Sequence, residues 1–199
     1  MKFPIVEIFT SIQGEGINLG KPANFVRFAG CNLNCKWCDT EWQKANEALT
    51  NEEIIEKLDH SVKLVVLTGG EPFMQKNLLW LILDLRSAGY QVAIETNGTY
   101  STKAVREACD VHIACSPKPQ AHWLIHPECA FDELKYVVDG AFTKEAMRIS
   151  TKPTWLQPEG GNMQNAWKEA LRIQKEIKEV CPSVDVRIGV QLHKIMEVR

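Results

Sequence analysis

Three cysteines, Cys31, Cys35 and Cys38, stand at C-x3-C-x2-C spacing in GCNLNCKWCDT. A structural zinc site takes four ligands, and a disulfide framework takes thiols in pairs. Three thiols on one tight loop match neither count. As thiolates they can hold three irons of a [4Fe-4S] cluster, because soft sulfur ligands select such clusters. The fourth iron then stays open to a small molecule. Zinc shared with His60 or another distant ligand is the alternative, although the spacing is unlike a zinc ribbon. Cys109, Cys115, Cys129 and Cys181 have no mutual spacing and are expected to be small buried hydrophobes. Trp80 and Trp167 lie in apolar helical patterns and are expected in the core.

A loop of this kind has to be delivered by a strand. Candidate strands run over 24–30, 63–70, 91–98, 111–118, 133–140 and 154–160, with 184–190 as a further one; several end in Gly or Pro. Helical patterns lie between them. Thr50 followed by Glu53 makes a capping box for a helix over 50–59. Ala166, Ala170, Ile173, Ile177 and Val180 form one apolar face over 163–180.

Alternating strands and helices predict βαβ units and a parallel sheet. A closed eight-fold barrel takes about 250 residues; this chain has 199. The expectation is an α/β fold, an incomplete open (βα)6-type partial barrel with its site at the C-terminal strand ends. The unusual residues fall at those ends: Cys31, Gly69-Gly70-Glu71, Glu95-Thr96-Asn97, Ser116-Pro117-Lys118 and Gln157 to Gly160.

Composition narrows the class. The net charge is -2, which implies no general basic surface for nucleic acid. The longest apolar run, LLWLIL, ends at once in Asp84, so no membrane span is expected. The N-terminus lacks an apolar signal core. A cytoplasmic protein with reduced thiols is the expectation.

The cluster spacing with an aromatic residue, Trp37, before Cys38 resembles the signature of the radical S-adenosylmethionine superfamily. TGGEP (68–72) resembles that superfamily's glycine-rich motif, where a residue without a side chain lets the backbone approach a ligand. The whole chain is similar to the 7-carboxy-7-deazaguanine synthases. The matching motifs run in order: EIFTSIQGEG (7–16), FVRFAGCNLNCKWCDT (25–40), TGGEP, IETNGT (94–99), SPK (116–118), LQPEG (156–160) and QLHK (191–194).

That resemblance implies one radical S-adenosylmethionine core domain over 1–199. It implies a [4Fe-4S] cluster, S-adenosylmethionine and Mg2+. In the implied reaction S-adenosylmethionine is cleaved to a radical that takes a hydrogen from C6 of 6-carboxy-5,6,7,8-tetrahydropterin. The ring contracts, ammonia is lost, and 7-carboxy-7-deazaguanine is the product. Cys31, Cys35 and Cys38 would hold the cluster and Thr40 the Mg2+. Trp37, Cys38, Asp39, Gly70, Ser116, Pro117, Lys118, Gln157, Pro158, Glu159 and Gly160 would line the cofactor.

The pterin would meet Ile12, Gln13, Gly14, Glu15, Arg27, Thr68, Glu95, His193 and the terminal carboxylate of Arg199. Arg27 is a planar donor suited to the substrate carboxylate. Gln13 and Glu15 complement the pterin amide and amino groups, and IQGEG would act as a lid. Glu95, ending a buried strand, needs a partner; a pterin amino group, a cofactor ribose or a structural salt bridge would supply it. A flavodoxin-like electron donor and a homodimer are also implied. Segment 41–48 is short for the family, and 119–130 matches no motif. A glycyl-radical activating enzyme is the rival within the superfamily; a non-catalytic iron-sulfur or zinc interaction module is the rival outside it.

Overall fold

Period-two alternation decides where the sheet's side chains go. In strand β4 (Leu64–Gly69), Val65 and Leu67 pack with Leu81, Ile82 and Leu85 of helix α2 (Leu78–Ser87). Leu64 and Val66 point the other way, onto Ala23 and Ala93. The same alternation puts Ala23, Phe25 and Arg27 on the inner face of β2 (Pro22–Phe28). The inner face is therefore apolar low in the strands and polar at their C-terminal ends.

This is a computed structural model, and it describes every residue except 37, 39, 140, 141, 160–162 and 199, and the side chains of 163 and 164. The other strands are β1 (Phe3–Ile12), β3 (Glu47–Leu49), β5 (Gln91–Thr96), β6 (His112–Cys115), β7 (Glu133–Val138), β8 (Thr154–Pro158) and β9 (Val186–Ile188). They form one sheet in the order β3-β1-β2-β4-β5-β6-β7-β8-β9. From β2 to β9 the strands are parallel neighbours. The sheet does not close, as the residue count predicts.

Two strands were not expected. β1 pairs antiparallel with β2 and β3 pairs antiparallel with β1. The segment 41–48 thus ends in an edge strand. The IQGEG stretch is the β1–β2 connection and not a loose flap. Gln13 N donates to Lys21 O and Gly20 N to Gln13 O, both at 2.8 Å, and Ile17 N reaches the Glu133 carboxylate at 2.9 Å.

The remaining helices are α1 (Asn51–Glu56), α3 (Lys103–Ala108), α4 (Met163–Val180) and α5 (Leu192–Ile195). Among the described residues no α-helix joins β6 to β7. Segment 119–130 takes that place: Trp123 packs against Phe142 and Tyr136, and Cys129 is buried. Cys115 is buried too, while Cys109 and Cys181 are only half-buried. No helix among the described residues is long and apolar enough to cross a membrane.

The core expectations need correction at Cys109 and Cys181, which were expected to be buried, and at three further residues. Trp80 is 62% exposed, because Leu78, Leu81, Ile82 and Leu85 fill the i, i+3, i+4, i+7 face and Trp80 falls opposite. Val180, the last residue of α4, is also exposed, although Ala170, Ile173 and Ile177 above it are buried. Trp167 is only partly buried.

The capping box on α1 is present: Thr50 Oγ1 accepts from Glu53 N at 3.3 Å, and Thr50 N donates to the Glu53 carboxylate at 2.7 Å. Thr50→Ala removes one half of it. Urea unfolding should show a loss of about 1 kcal/mol; an unchanged midpoint would mean that α1 does not depend on its cap.

Candidate active site

The thiol loop leaves β2 through Gly30, at φ 91°, and returns where Gly30 N donates to Trp42 O at 2.9 Å. The TGGEP turn is stitched to its base: Gly70 N donates to Phe28 O at 3.0 Å and Glu71 N to Gly30 O at 2.9 Å. The approach is so close that a Cβ on Gly70 would sit 1.9 Å from Gly30 O. A second set of bonds fixes Asn32, next to Cys31. Asn97 Nδ2 donates to Asn32 Oδ1, and Asn32 Nδ2 to Thr99 Oγ1, each at 2.9 Å. Below them Glu71 is fully buried and accepts from Asn97 N, Thr96 Oγ1 and Phe73 N. Burial pushes its carboxyl up to about 7, against the pull of those three bonds.

The three thiols are unbonded to one another and line one cleft of about 290 Å³. Burial raises the Cys31 and Cys35 thiols, with the Lys118 ammonium drawing Cys35 back down. His60 lies 2.8 Å from the Tyr90 hydroxyl, and among the described residues no three His, Cys, Asp or Glu side chains gather as a single-ion site. A cluster spreads its thiolates over several irons, and three soft donors on one loop suit that arrangement.

The cofactor-side residues Gly70, Ser116, Lys118, Gln157, Pro158 and Glu159 line the same cleft. Lys118 Nζ is 2.5 Å from Ser116 Oγ, and burial lowers the Lys118 pKa. Gln157 Oε1 is buried with no hydrogen-bond partner among the described residues, and it lies against Gly189, where an added Cβ would be 2.3 Å away. A glycine cradle and three thiols on one loop, with Ser116 and Lys118 lining the same cleft, fit a [4Fe-4S] cluster carrying a small molecule. Pro117 is buried but does not reach the cleft. Trp37, Asp39 and Gly160 lie outside the described residues.

Across the cleft stand Ile12, Gln13, Gly14, Glu15, Arg27, Thr40, Thr68, Glu95 and His193. Arg27 Nη1 donates to Thr40 Oγ1 at 2.6 Å. Its Nε lies 2.9 Å from Glu7 Oε1 but off the N–H line, so that contact is an ion pair without a directed bond. Gln13 Nε2 donates to Glu95 at 3.1 Å. Gly14 is packed so tightly on His193 that a Cβ would be 1.9 Å from Nδ1. Leu192 N donates to Gly14 O at 2.9 Å, which seats α5 against the β1–β2 connection. Arg199 lies outside the described residues.

Phe9, Phe25 and Lys135 are among the cleft residues that escaped the sequence reasoning. Phe9 and Phe25 stack at 5.0 Å and form a flat floor. Lys135, in the middle of β7, reaches Glu95 at 2.5 Å and Glu15 at 3.1 Å. Of the partners weighed for Glu95, the one present in this structure is a salt bridge. The usable signal for Lys135 was a lone cation alternating with Leu134 and Tyr136 in a strand expected to be buried on both faces.

A three-thiol loop over the open mouth of a parallel partial barrel is the arrangement of an iron-sulfur enzyme core, and the family model of the radical SAM superfamily matches residues 25–157. Relatives named 7-carboxy-7-deazaguanine synthase include one from Aquifex aeolicus, 37% identical over 97% of this chain and 93% of its own. Another from Bacteroides thetaiotaomicron is 36% identical over 98% of both chains. The crystal structure of QueE from Escherichia coli superposes with a TM-score of 0.72 at 25% identity, covering 97% of this chain and 95% of that one. The chain belongs to the radical SAM superfamily and, within it, to the family of these synthases. Membership makes it an enzyme that uses a [4Fe-4S] cluster and S-adenosylmethionine.

Proposed function

We propose that the protein converts 6-carboxy-5,6,7,8-tetrahydropterin to 7-carboxy-7-deazaguanine with loss of ammonia, as a step in deazapurine biosynthesis. The observation that carries this is the two-sided cleft. Thiols and a glycine cradle line one wall; carboxylates, an arginine and an aromatic floor line the other. The relatives' shared name supports the same reading.

Cys31, Cys35 and Cys38 would hold the cluster, which with S-adenosylmethionine supplies the radical chemistry. The Gly70 backbone, Ser116, Lys118, Gln157, Pro158 and Glu159 would orient the cofactor; Trp37, Asp39 and Gly160 belong to the same assignment, and Pro117, which does not reach the cleft, would serve by stiffening the backbone between Ser116 and Lys118. On the facing wall the flat heterocycle would rest on the Phe9–Phe25 stack. Gln13, Glu15 and Glu95, with the backbone of Ile12 and Gly14, would take its amide and amino edge, and Arg27 its carboxylate. Thr68 and His193 would close the sides, with the Arg199 carboxylate beyond. Closing the cleft around the substrate excludes water from a reactive centre.

Mg2+ belongs to this reading through Thr40, which is 9% exposed and lines the cleft. Mg2+ commonly keeps few protein ligands and shares substrate oxygens. Thr40→Val should raise the Mg2+ needed for half-maximal turnover by about 10-fold or more, with unchanged iron content because no thiolate is touched. An unaltered Mg2+ dependence would remove Thr40 from the site.

One domain over 1–199, a cytoplasmic setting, a homodimer and a flavodoxin-like donor complete the reading. Cys38 is exposed, which gives an electron donor access to the cluster loop. The test is anaerobic: reconstituted protein, dithionite, S-adenosylmethionine, Mg2+ and 6-carboxytetrahydropterin, with mass spectrometry of the product. Cleavage of S-adenosylmethionine with no 7-carboxy-7-deazaguanine formed would overturn the assignment while leaving the superfamily intact.

A further inference from the structure

Lys135 is 6% exposed in the middle of a strand, where a lone ammonium would be costly. It is tied instead to two carboxylates from two other parts of the chain. Its Nζ lies 2.5 Å from Glu95 Oε2, at the end of β5, and 3.1 Å from Glu15 Oε2, in the β1–β2 connection. The other oxygens are also held: Gln13 Nε2 donates to Glu95 Oε1 at 3.1 Å and Gln191 Nε2 to Glu15 Oε1 at 2.8 Å. Each carboxylate oxygen has a further lone pair, and both carboxylates line the cleft.

We propose that Lys135 is a positioning residue, whose ammonium holds Glu15 and Glu95 in place as paired acceptors for the N–H donors of a 2-amino-pyrimidinone edge. This rests on the pterin reading above and names what makes that reading work. Two carboxylates and one ammonium leave the group with one net negative charge. A ligand edge rich in N–H donors and without its own negative charge is the complement of that arrangement. The guanidine-like edge of a pterin has this chemistry; a carboxylate or phosphate at the same place would be repelled.

Other charged groups face the cluster of three. Lys118 approaches from the segment after β6, Glu133 from two residues earlier on β7, and His193 from α5. Burial works to raise the Glu15 carboxyl, but Lys135, the Gln191 bond and His193 outweigh it and hold its pKa below the usual value. Burial likewise opposes the Lys135 ammonium, and Glu95 and Glu15 overcome it. A Lys135 that served the fold alone would affect stability without changing how the folded protein meets its ligand.

The experiment compares wild type, Lys135→Met and Lys135→Arg by anaerobic calorimetry with 6-carboxytetrahydropterin at several pH values, with circular dichroism as the check on folding. Lys135→Met should bind about 10- to 100-fold more weakly near neutral pH. Its affinity should then recover in part as pH rises. Without the ammonium, buried Glu15 takes up a proton more readily, and the acceptor capacity lost to that proton returns as pH rises. Lys135→Arg, which keeps the charge, should restore most of the affinity. A folded Lys135→Met with wild-type affinity and the wild-type pH profile overturns the proposal. Should Lys135→Met fail to fold, Lys135→Met/Glu95→Gln removes one charge of each sign. Wild-type binding in that variant overturns the proposal equally. A wild type that binds no pterin at all sinks the functional reading first, before any substitution is compared.

Discussion

Cys31→Ala protein, reconstituted without oxygen, should lose the visible absorbance of the cluster and cleave S-adenosylmethionine only at background. Three thiols are the minimum for a cluster with one open iron, and no fourth cysteine is in reach to replace one. Cys109 lies at the end of α3 and Cys181 just past α4, both outside the cleft. Cys109→Ala and Cys181→Ala should therefore keep both the absorbance and the cleavage. Iron and sulfide analysis gives the direct measure, with about four of each per chain expected. Preparations that take up zinc and never iron, with or without oxygen, would defeat the cluster assignment.

Gly70→Ala should be the most damaging small substitution away from the thiols. An added methyl group would meet Gly30 O at 1.9 Å and Cys31 Cβ at 3.0 Å. Neither neighbour can yield: one is backbone and the other belongs to the loop that carries the cluster. The turn or the loop must shift by about 1 Å, and a misplacement of that size costs on the order of 100-fold in rate. Iron content should stay near normal, since the thiols remain. The loss should appear in both the affinity for S-adenosylmethionine and its cleavage. Wild-type kinetics in Gly70→Ala would mean that the turn does not approach the cofactor.

The parallel strands were legible because they are short apolar runs ending in Gly or Pro, and because 199 residues cannot close a barrel. β1 was hidden by its own motif. EIFTSIQGEG drew attention to its polar end, although Phe3–Ile12 alternates and pairs with β2 from Ile5 to Ile12. Strand-end logic gathered most of the cleft, since side chains at those ends have no neighbour above them. It could not find Lys135, which sits three residues before the strand's end and is held there by Glu15 and Glu95, partners 120 and 40 positions away. Nor could periodicity assign 119–130. That segment crosses over as a packed loop, with His122 and Trp123 at φ 51° and 59°, a left-handed turn that no helical pattern announces. Trp80 shows the opposite error: a helix apolar on every side buries only the stripe its neighbours cover.

The bond between Gln191 and Glu15 spans 176 positions of sequence. The thiol loop and the turn that cradles it lie within the first 72 residues, and their mutual bonds span fewer than 50 positions. The two walls of the cleft thus differ in when they can form. During synthesis the thiol loop has its glycine cradle and its Asn32 bonds once residues 70 to 99 have left the ribosome. The substrate wall must wait for residue 191, and contacts of such long separation are slow to close. A nascent chain ending near residue 188 would carry every thiol and lack the clasp on Glu15. It would be able to accept iron before it could hold a pterin.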